Sequence, residues 1–554
     1  MIVTRIGVNA SRRRCLTSNS SLNAEAFNPA SYLSGGRKTD DDREIVALTP
    51  ASPHLLGFTG QPRRPKMNST LNPELETPFG RLRGQLANGV TSFRRIPYAE
   101  APVGPRRFEM PTAAPRWGGI LDATRPGPIP PQNPSRLDLV MGAYEAEQSE
   151  DCLHLDIWTQ HPAGTRAPVL VFIHGGGFMT GGGSLPCYDG SLLAEENGLV
   201  VVNISYRLGI LGFWPQSDLG PPNLGLHDQI AALRWIKEAI DCFGGDSERI
   251  TVAGQSAGAF SIAAHLASDL GPSLFKRALM MSAPLGLKLR SVEQARPLAA
   301  SLVDGLGLGD ANELRTMPVD QIFARQRGLE RRSAGVLGDI TPPFMPVLDG
   351  NLLPRDPHAT LRTGRTSECD VMIGVTREEL AAFYVHDHRL DDLSDGALVD
   401  LFRREMGDGA SAAISRIRAE RVPATPRTIL SDLHTDSAFL SPSLDVAGAP
   451  SGANLNTFAY FFDWRAQASG MGACHCIDLP FLFGNFDVWL SAPMLRGTER
   501  DELEALSRVF RSAVAAFAAT GNPNGNKSPR WPAHSPGRVV LHLDCRITAS
   551  GYLH

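Results

Sequence analysis

No apolar stretch in this sequence approaches the ~18 residues a membrane-spanning helix needs, so no membrane span is expected. Cysteine is sparse. Eight residues scattered over 554 do not make the dense framework of a disulfide scaffold, and reduced thiols, with a cytoplasmic location, are the expectation. Neither sign of charge dominates: 54 Lys and Arg stand against 58 Asp and Glu, and a net charge of −4 gives no basic surface for nucleic acid. Phosphate-cradling loops are missing as well. Neither GxGxxG nor GxxxxGK(S/T) occurs after an apolar run, and Gly305-Leu306-Gly307-Leu308-Gly309 fits neither pattern. What remains is a globular chain, 42% hydrophobic and 20% charged, long enough to bury a large core.

Within that chain the most informative segment is Gly254-Gln255-Ser256-Ala257-Gly258. Arg249-Ile250-Thr251-Val252-Ala253 before it reads as a buried strand, and Ala257 to Leu266 after it as a helix. A serine between glycines is commonly no more than a turn. Placed where a strand bends sharply into a helix, it becomes a nucleophile elbow, whose strained central residue projects its hydroxyl while the flanking glycines admit the neighbouring backbone.

A serine hydroxyl is a poor nucleophile at neutral pH and needs a base, a group to orient that base, and donors for the oxyanion. The apolar strand Pro168–Ile173 runs into His174-Gly175-Gly176-Gly177-Phe178. Such a glycine loop exposes unobstructed N–H groups, and Gly176 and Gly177, with Ala257 from the elbow, are the candidate oxyanion donors.

These segments, together with Ile96-Pro97-Tyr98-Ala99, Glu150-Asp151-Cys152-Leu153, Tyr206-Arg207-Leu208-Gly209, Asn223 to Gln229 and Phe243-Gly244-Gly245-Asp246, follow one another in an order that resembles the type-B carboxylesterases of the α/β-hydrolase superfamily. The likeness runs from about Thr77 to the C-terminus. It implies a large, mostly parallel twisted sheet flanked by helices, with helical insertions forming a lid and substrate region. It also implies hydrolysis of small-molecule carboxylic esters through an acyl-enzyme. By resemblance to a GxxxDEGxxF segment, Gly374 to Phe383 places the acid at Glu379, with Glu378 beside it as the alternative. By resemblance to GxxHxxELPxxFG, Gly472 to Gly484 places the base at His475. The resulting order, Ser256, Glu379, His475, is the one expected on this fold.

Several positions depart from the pattern. Leu380 stands where relatives carry glycine, and Gln255 where most carry a glutamate immediately before the nucleophile. The missing charge at 255 disfavours cationic esters while leaving an amide able to hydrogen-bond. Relatives that cross-link the position of Cys152 use an upstream cysteine, and here Ile129 occupies that place, so Cys152 is expected to be free. Cys474-His475-Cys476 invites a metal reading, but adjacent residues point different ways and no second ligand pair follows at zinc spacing. No metal and no cofactor are expected.

Residues 1–66 differ in character, with ten basic against five acidic residues and little apolar periodicity, and are expected to be a disordered extension. Ser11 to Leu16 hints at a twin-arginine signal, but the polar stretch Thr17 to Glu25 supplies no apolar region for export. Met67 lies just ahead of the resemblance, which raises the expectation that the extension is absent from the natural product. Residues 67–554 are expected to form a single catalytic domain, their oligomeric state left open. Leu226, Ile230, Leu233 and Ile240 predict a helix stopped at Gly244-Gly245, and Leu503, Leu506, Phe510, Val514 and Phe517 another closed by Gly521. Two further functions use the same landmarks: cleavage of amide or carbamate bonds, and a non-catalytic adhesion role like that of neuroligins, which normally accompanies loss of the serine or histidine.

Overall fold

The computed structural model describes residues 45–46 and 72–552, apart from 269, 271–272, 334–338, 366–368, 386, 451–455 and 526–527. The expectation for residues 1–66 lies outside the described residues, save for one two-residue strand. Among the described residues the strands are β1 (Ile45–Val46), β2 (Glu74–Thr77), β3 (Gly80–Arg83), β4 (Gln85–Ala87), β5 (Val90–Pro97), β6 (Ile120–Asp122), β7 (His154–Thr159) and β8 (Ala167–Ile173). They continue as β9 (Val200–Ile204), β10 (Gly245–Gln255), β11 (Arg277–Met281), β12 (Asp370–Thr376), β13 (Thr457–Phe462), β14 (Val539–Leu543) and β15 (Ile547–Gly551).

Twelve of these form one sheet in the order β1-β15-β14-β13-β12-β11-β10-β8-β9-β7-β5-β4, while β2, β3 and β6 make a separate small sheet. From β9 through β8, β10, β11, β12 and β13 to β14 every neighbour is parallel. The outer pairs are antiparallel. Parallel strands are buried on both faces, which is why they read as continuous apolar runs. In β8, Val169, Val171 and Ile173 join one apolar cluster, and Leu170 and Phe172 the other, as the alternation of a strand demands.

Helices cover each face. Leu224–Ala239 packs Leu226, Ile230 and Leu233 into the first cluster, and Gly244 beyond it adopts φ 80°. Arg500–Thr520 packs Leu503, Phe510, Val514 and Phe517 into the second, ending at Gly521 with φ 78°. Both predicted helices are therefore present, on opposite sides of the sheet. The α/β-hydrolase architecture is the one observed. Among the described residues no helix is long and apolar enough to cross a membrane.

Two of the sequence landmarks act as braces. Arg207 grips Asp228 through Nε and Nη2 of its guanidinium at 2.8 and 2.7 Å, and its own N–H donates to the same carboxylate, fastening the loop after β9 to the helix at 224–239. Arg107 grips Glu150 in the same two-pronged way and donates to the Leu314 and Met317 carbonyls.

Candidate active site

β10 ends at Gln255 and the helix Ala257–Ala267 begins two residues on, so Ser256 takes the whole change of direction. Its backbone lies at φ 57°, ψ −122°, a conformation L-residues rarely hold unless the surroundings impose it. The flanking glycines supply that imposition. A Cβ on Gly258 would stand 2.0 Å from the Ile173 carbonyl oxygen at the end of β8, and one on Gly254 would stand 2.6 Å from the Gly258 carbonyl carbon. Ser256 is 8% exposed.

Beside it runs the glycine loop after β8. Gly176 has φ 102° and Gly177 φ 61°. His174, fully buried, is stacked on Tyr206 at 4.4 Å and accepts nothing at Nε2, while its Nδ1 lies 2.8 Å from the Gly175 carbonyl. Burial pulls its pKa down to about 4, so it is neutral and Nδ1 donates. Tyr206 in turn donates to the His174 carbonyl. The loop is thus held from behind. Among the described residues the N–H groups of Gly176, Gly177 and Ala257 have no protein acceptor, which leaves all three available to an incoming oxygen.

The segment after β12 separates the two candidate acids. Glu379 is fully buried, accepts from the Thr376 N–H at 2.7 Å with one carboxylate oxygen, and meets His475 Nδ1 at 2.5 Å with the other. Glu378 turns away from the imidazole ring. Its carboxylate accepts from the Ala473 N–H at 2.7 Å and from Arg421 at 2.9 Å, and its N–H donates to the Ala473 carbonyl. Both glutamates therefore secure the loop that carries His475, one through the ring and one through the backbone. Leu380 sits at φ −76°, ψ −13°, so the position usually held by glycine needs no left-handed conformation here. Its N–H donates to Thr435.

His475 is enclosed by Phe383 and Phe439, each 5.3 Å away between ring centres. Its Nε2 meets the Gln255 amide nitrogen at 3.2 Å. An N–H donated to Nε2 requires the neutral imidazole with its proton on Nδ1, facing Glu379. That is the tautomer a general base needs. Among the described residues the Ser256 hydroxyl makes no hydrogen bond to the imidazole, whose Nε2 faces the Gln255 amide instead. Hydrogen bonds of this kind are often long in a free enzyme and tighten with substrate.

Asp478, three residues past His475, is fully buried, and neither carboxylate oxygen has a well-formed hydrogen bond. Desolvation, reinforced by the charge of Glu379, pushes its pKa up to about 7, with His475 and the N–H groups of Asp478 and Leu479 offsetting only part. An aspartate in the unfolded chain titrates near pH ~4, so between that value and neutrality the folded state holds the extra proton. The contribution of Asp478 to stability is full below pH ~4 and is lost as pH rises through about 7. We therefore expect the melting temperature of Asp478→Asn to gain on that of the wild type as pH rises over this interval. A gap that stays constant with pH would show that Asp478 does not titrate there.

Cys474 and Cys476 are buried thiols on either side of His475, and burial pushes both pKa values up. Among the described residues no group of three or more His, Cys, Asp or Glu is placed to hold a metal ion. A cavity of about 520 Å³ between Gln132, Glu150 and Phe323 touches none of the candidate catalytic residues. The stacking of His174 on Tyr206, the aromatic walls around His475 and the reach of Gln255 to the imidazole were not anticipated from the sequence. The first had a signal in the HGGG and YRLG segments; the others join positions far apart in the chain.

Residues 71–548 match the carboxylesterase family. The para-nitrobenzyl esterase of Bacillus subtilis (strain 168) is 36% identical over 483 residues, covering 85% of this chain and 95% of that protein. A probable N-octanoylanthranilate hydrolase of Rhodococcus erythropolis is 36% identical over 480 residues, covering 86% and 98%. Among solved structures, the carboxylesterase EST55 of Geobacillus stearothermophilus superposes with a TM-score of 0.76 at 34% identity, covering 86% of this chain and 97% of that one.

Proposed function

Because this chain belongs to the carboxylesterase family and is by that membership a serine hydrolase of small-molecule carboxylic esters, we propose that Ser256 is its nucleophile, His475 its general base and Glu379 the acid that orients the base. In this reading His475 Nε2 takes the Ser256 proton as Oγ attacks the ester carbonyl, and Glu379 stabilises the imidazolium that results. The N–H groups of Gly176, Gly177 and Ala257 bind the oxyanion, each such donor contributing about 3 kcal/mol to lowering the barrier. His475 then protonates the departing alcohol, and water repeats the sequence on the acyl-enzyme to release the acid.

The observation that carries this assignment is the 2.5 Å contact of His475 Nδ1 with Glu379, set against the 3.2 Å approach of Gln255, the residue next to Ser256, to Nε2. Labelling with an organophosphate tests it: the adduct is expected on Ser256, and a stoichiometric adduct elsewhere would overturn the choice of nucleophile. The same residues can cleave an amide or a carbamate, and the relative named for N-octanoylanthranilate keeps that second reading open. Rates on matched ester, amide and carbamate substrates separate the two. We also propose one catalytic domain over 67–554 and a cytoplasmic location, the latter resting on the sparse, scattered cysteines.

A further inference from the structure

Arg136 lies in the segment just before the short helix Asp138–Met141 and holds its guanidinium over the ring of Phe383, 5.7 Å from the ring centre. Phe383 is the half-buried aromatic that walls His475 on one side. The cation and the imidazole therefore share one aromatic neighbour.

Two features distinguish Arg136 from an ordinary surface arginine. It makes no hydrogen bond and no ion pair among the described residues. The carboxylates whose charge it feels most, Asp339 and Glu330, are committed elsewhere: Asp339 accepts from the Thr341 N–H, and Glu330 from Gln326 and Asn133. Its side chain is also exposed, yet loss of surrounding water, partly offset by those two carboxylates, pulls its pKa below the usual arginine value. It is therefore reachable from solvent beside the ring of Phe383. Close to His475 the two glutamate carboxylates are already engaged. The position before Ser256 is the amide of Gln255, Glu378 is bound by Arg421, and Glu379 is bound to His475.

Resting on the esterase reading above, we propose that Arg136 is a specificity-determining residue that draws ester substrates bearing a carboxylate into this site. An unpaired guanidinium over an aromatic face offers a carboxylate two N–H donors in a fixed fork, and so discriminates a charged ester from its neutral isostere. The Phe383 ring beneath it accepts the apolar part of the same molecule.

The test uses the full chain and two matched pairs of esters. Para-nitrophenyl monoglutarate against para-nitrophenyl pentanoate places the charge on the acyl side; para-carboxyphenyl butanoate against phenyl butanoate places it on the departing alcohol. For each pair kcat/KM of the charged ester is divided by that of the neutral one, in the wild type, Arg136→Gln and Arg136→Lys. In at least one pair we expect this ratio to fall about tenfold in Arg136→Gln, to recover in part in Arg136→Lys, and to decline with added salt only where the cation is present. The pair that responds identifies which end of the substrate faces Arg136. A ratio that Arg136→Gln leaves unmoved in both pairs overturns the proposal. If the wild type turns over neither neutral ester, the esterase reading itself fails and this inference goes with it.

Discussion

Ser256→Ala is expected to lower ester turnover by on the order of a millionfold, the scale seen when a serine hydrolase loses its nucleophile. The hydroxyl is the only group removed. Alanine carries a Cβ as serine does, so the strain at φ 57° is neither relieved nor increased, and the helix Ala257–Ala267 still starts from the same turn. Hydrolysis of a para-nitrophenyl ester, measured beside an unfolding curve, checks both halves of the expectation. A variant that keeps more than about a hundredth of wild-type kcat, once contamination is excluded, would show that some other group attacks the carbonyl.

Glu379→Gln is the second large effect. Its carboxylate accepts from two donors, the Thr376 N–H and His475 Nδ1. A glutamine side chain has one acceptor oxygen for those two, so either the Thr376 bond is lost or the amide meets Nδ1 with an N–H and favours the tautomer that cannot accept from Ser256. A loss of about ten-thousandfold in kcat is expected, with binding little changed. Glu378→Gln removes a charge held at 2% exposure by Arg421 and the Ala473 N–H, so its main cost falls on stability, about 3 kcal/mol, with kcat reduced less than about tenfold. Should the large kinetic loss follow Glu378→Gln instead, the acid has been assigned to the wrong neighbour.

How much of this could be read from the residues depends on whether the cause is local. The elbow is legible because strand, tight turn and helix lie within about twenty consecutive positions and each leaves its own pattern: the apolar run of β10, the glycines at 254 and 258, the small residues after them. The helices Leu224–Ala239 and Arg500–Thr520 are legible for the same reason, since an amphipathic stripe and a terminal glycine are written into one segment. The candidate acid is legible only as a pair, because nothing in a loop says which of two adjacent side chains turns inward; the contacts that turn Glu379 to His475, and Glu378 to Ala473 and Arg421, exist only in the fold. Leu380 illustrates the converse. Its departure from glycine casts doubt on the loop, yet the backbone there is ordinary right-handed helix. Arg136 was invisible to pattern, since its surroundings come from segments some two hundred residues away.

Adjacent residues 378 and 379 grip the backbone and the ring of the same short stretch. Imidazole and carboxylate are therefore expected to travel as one body, so that motion of the large sheet would displace the pair against Ser256 before parting it.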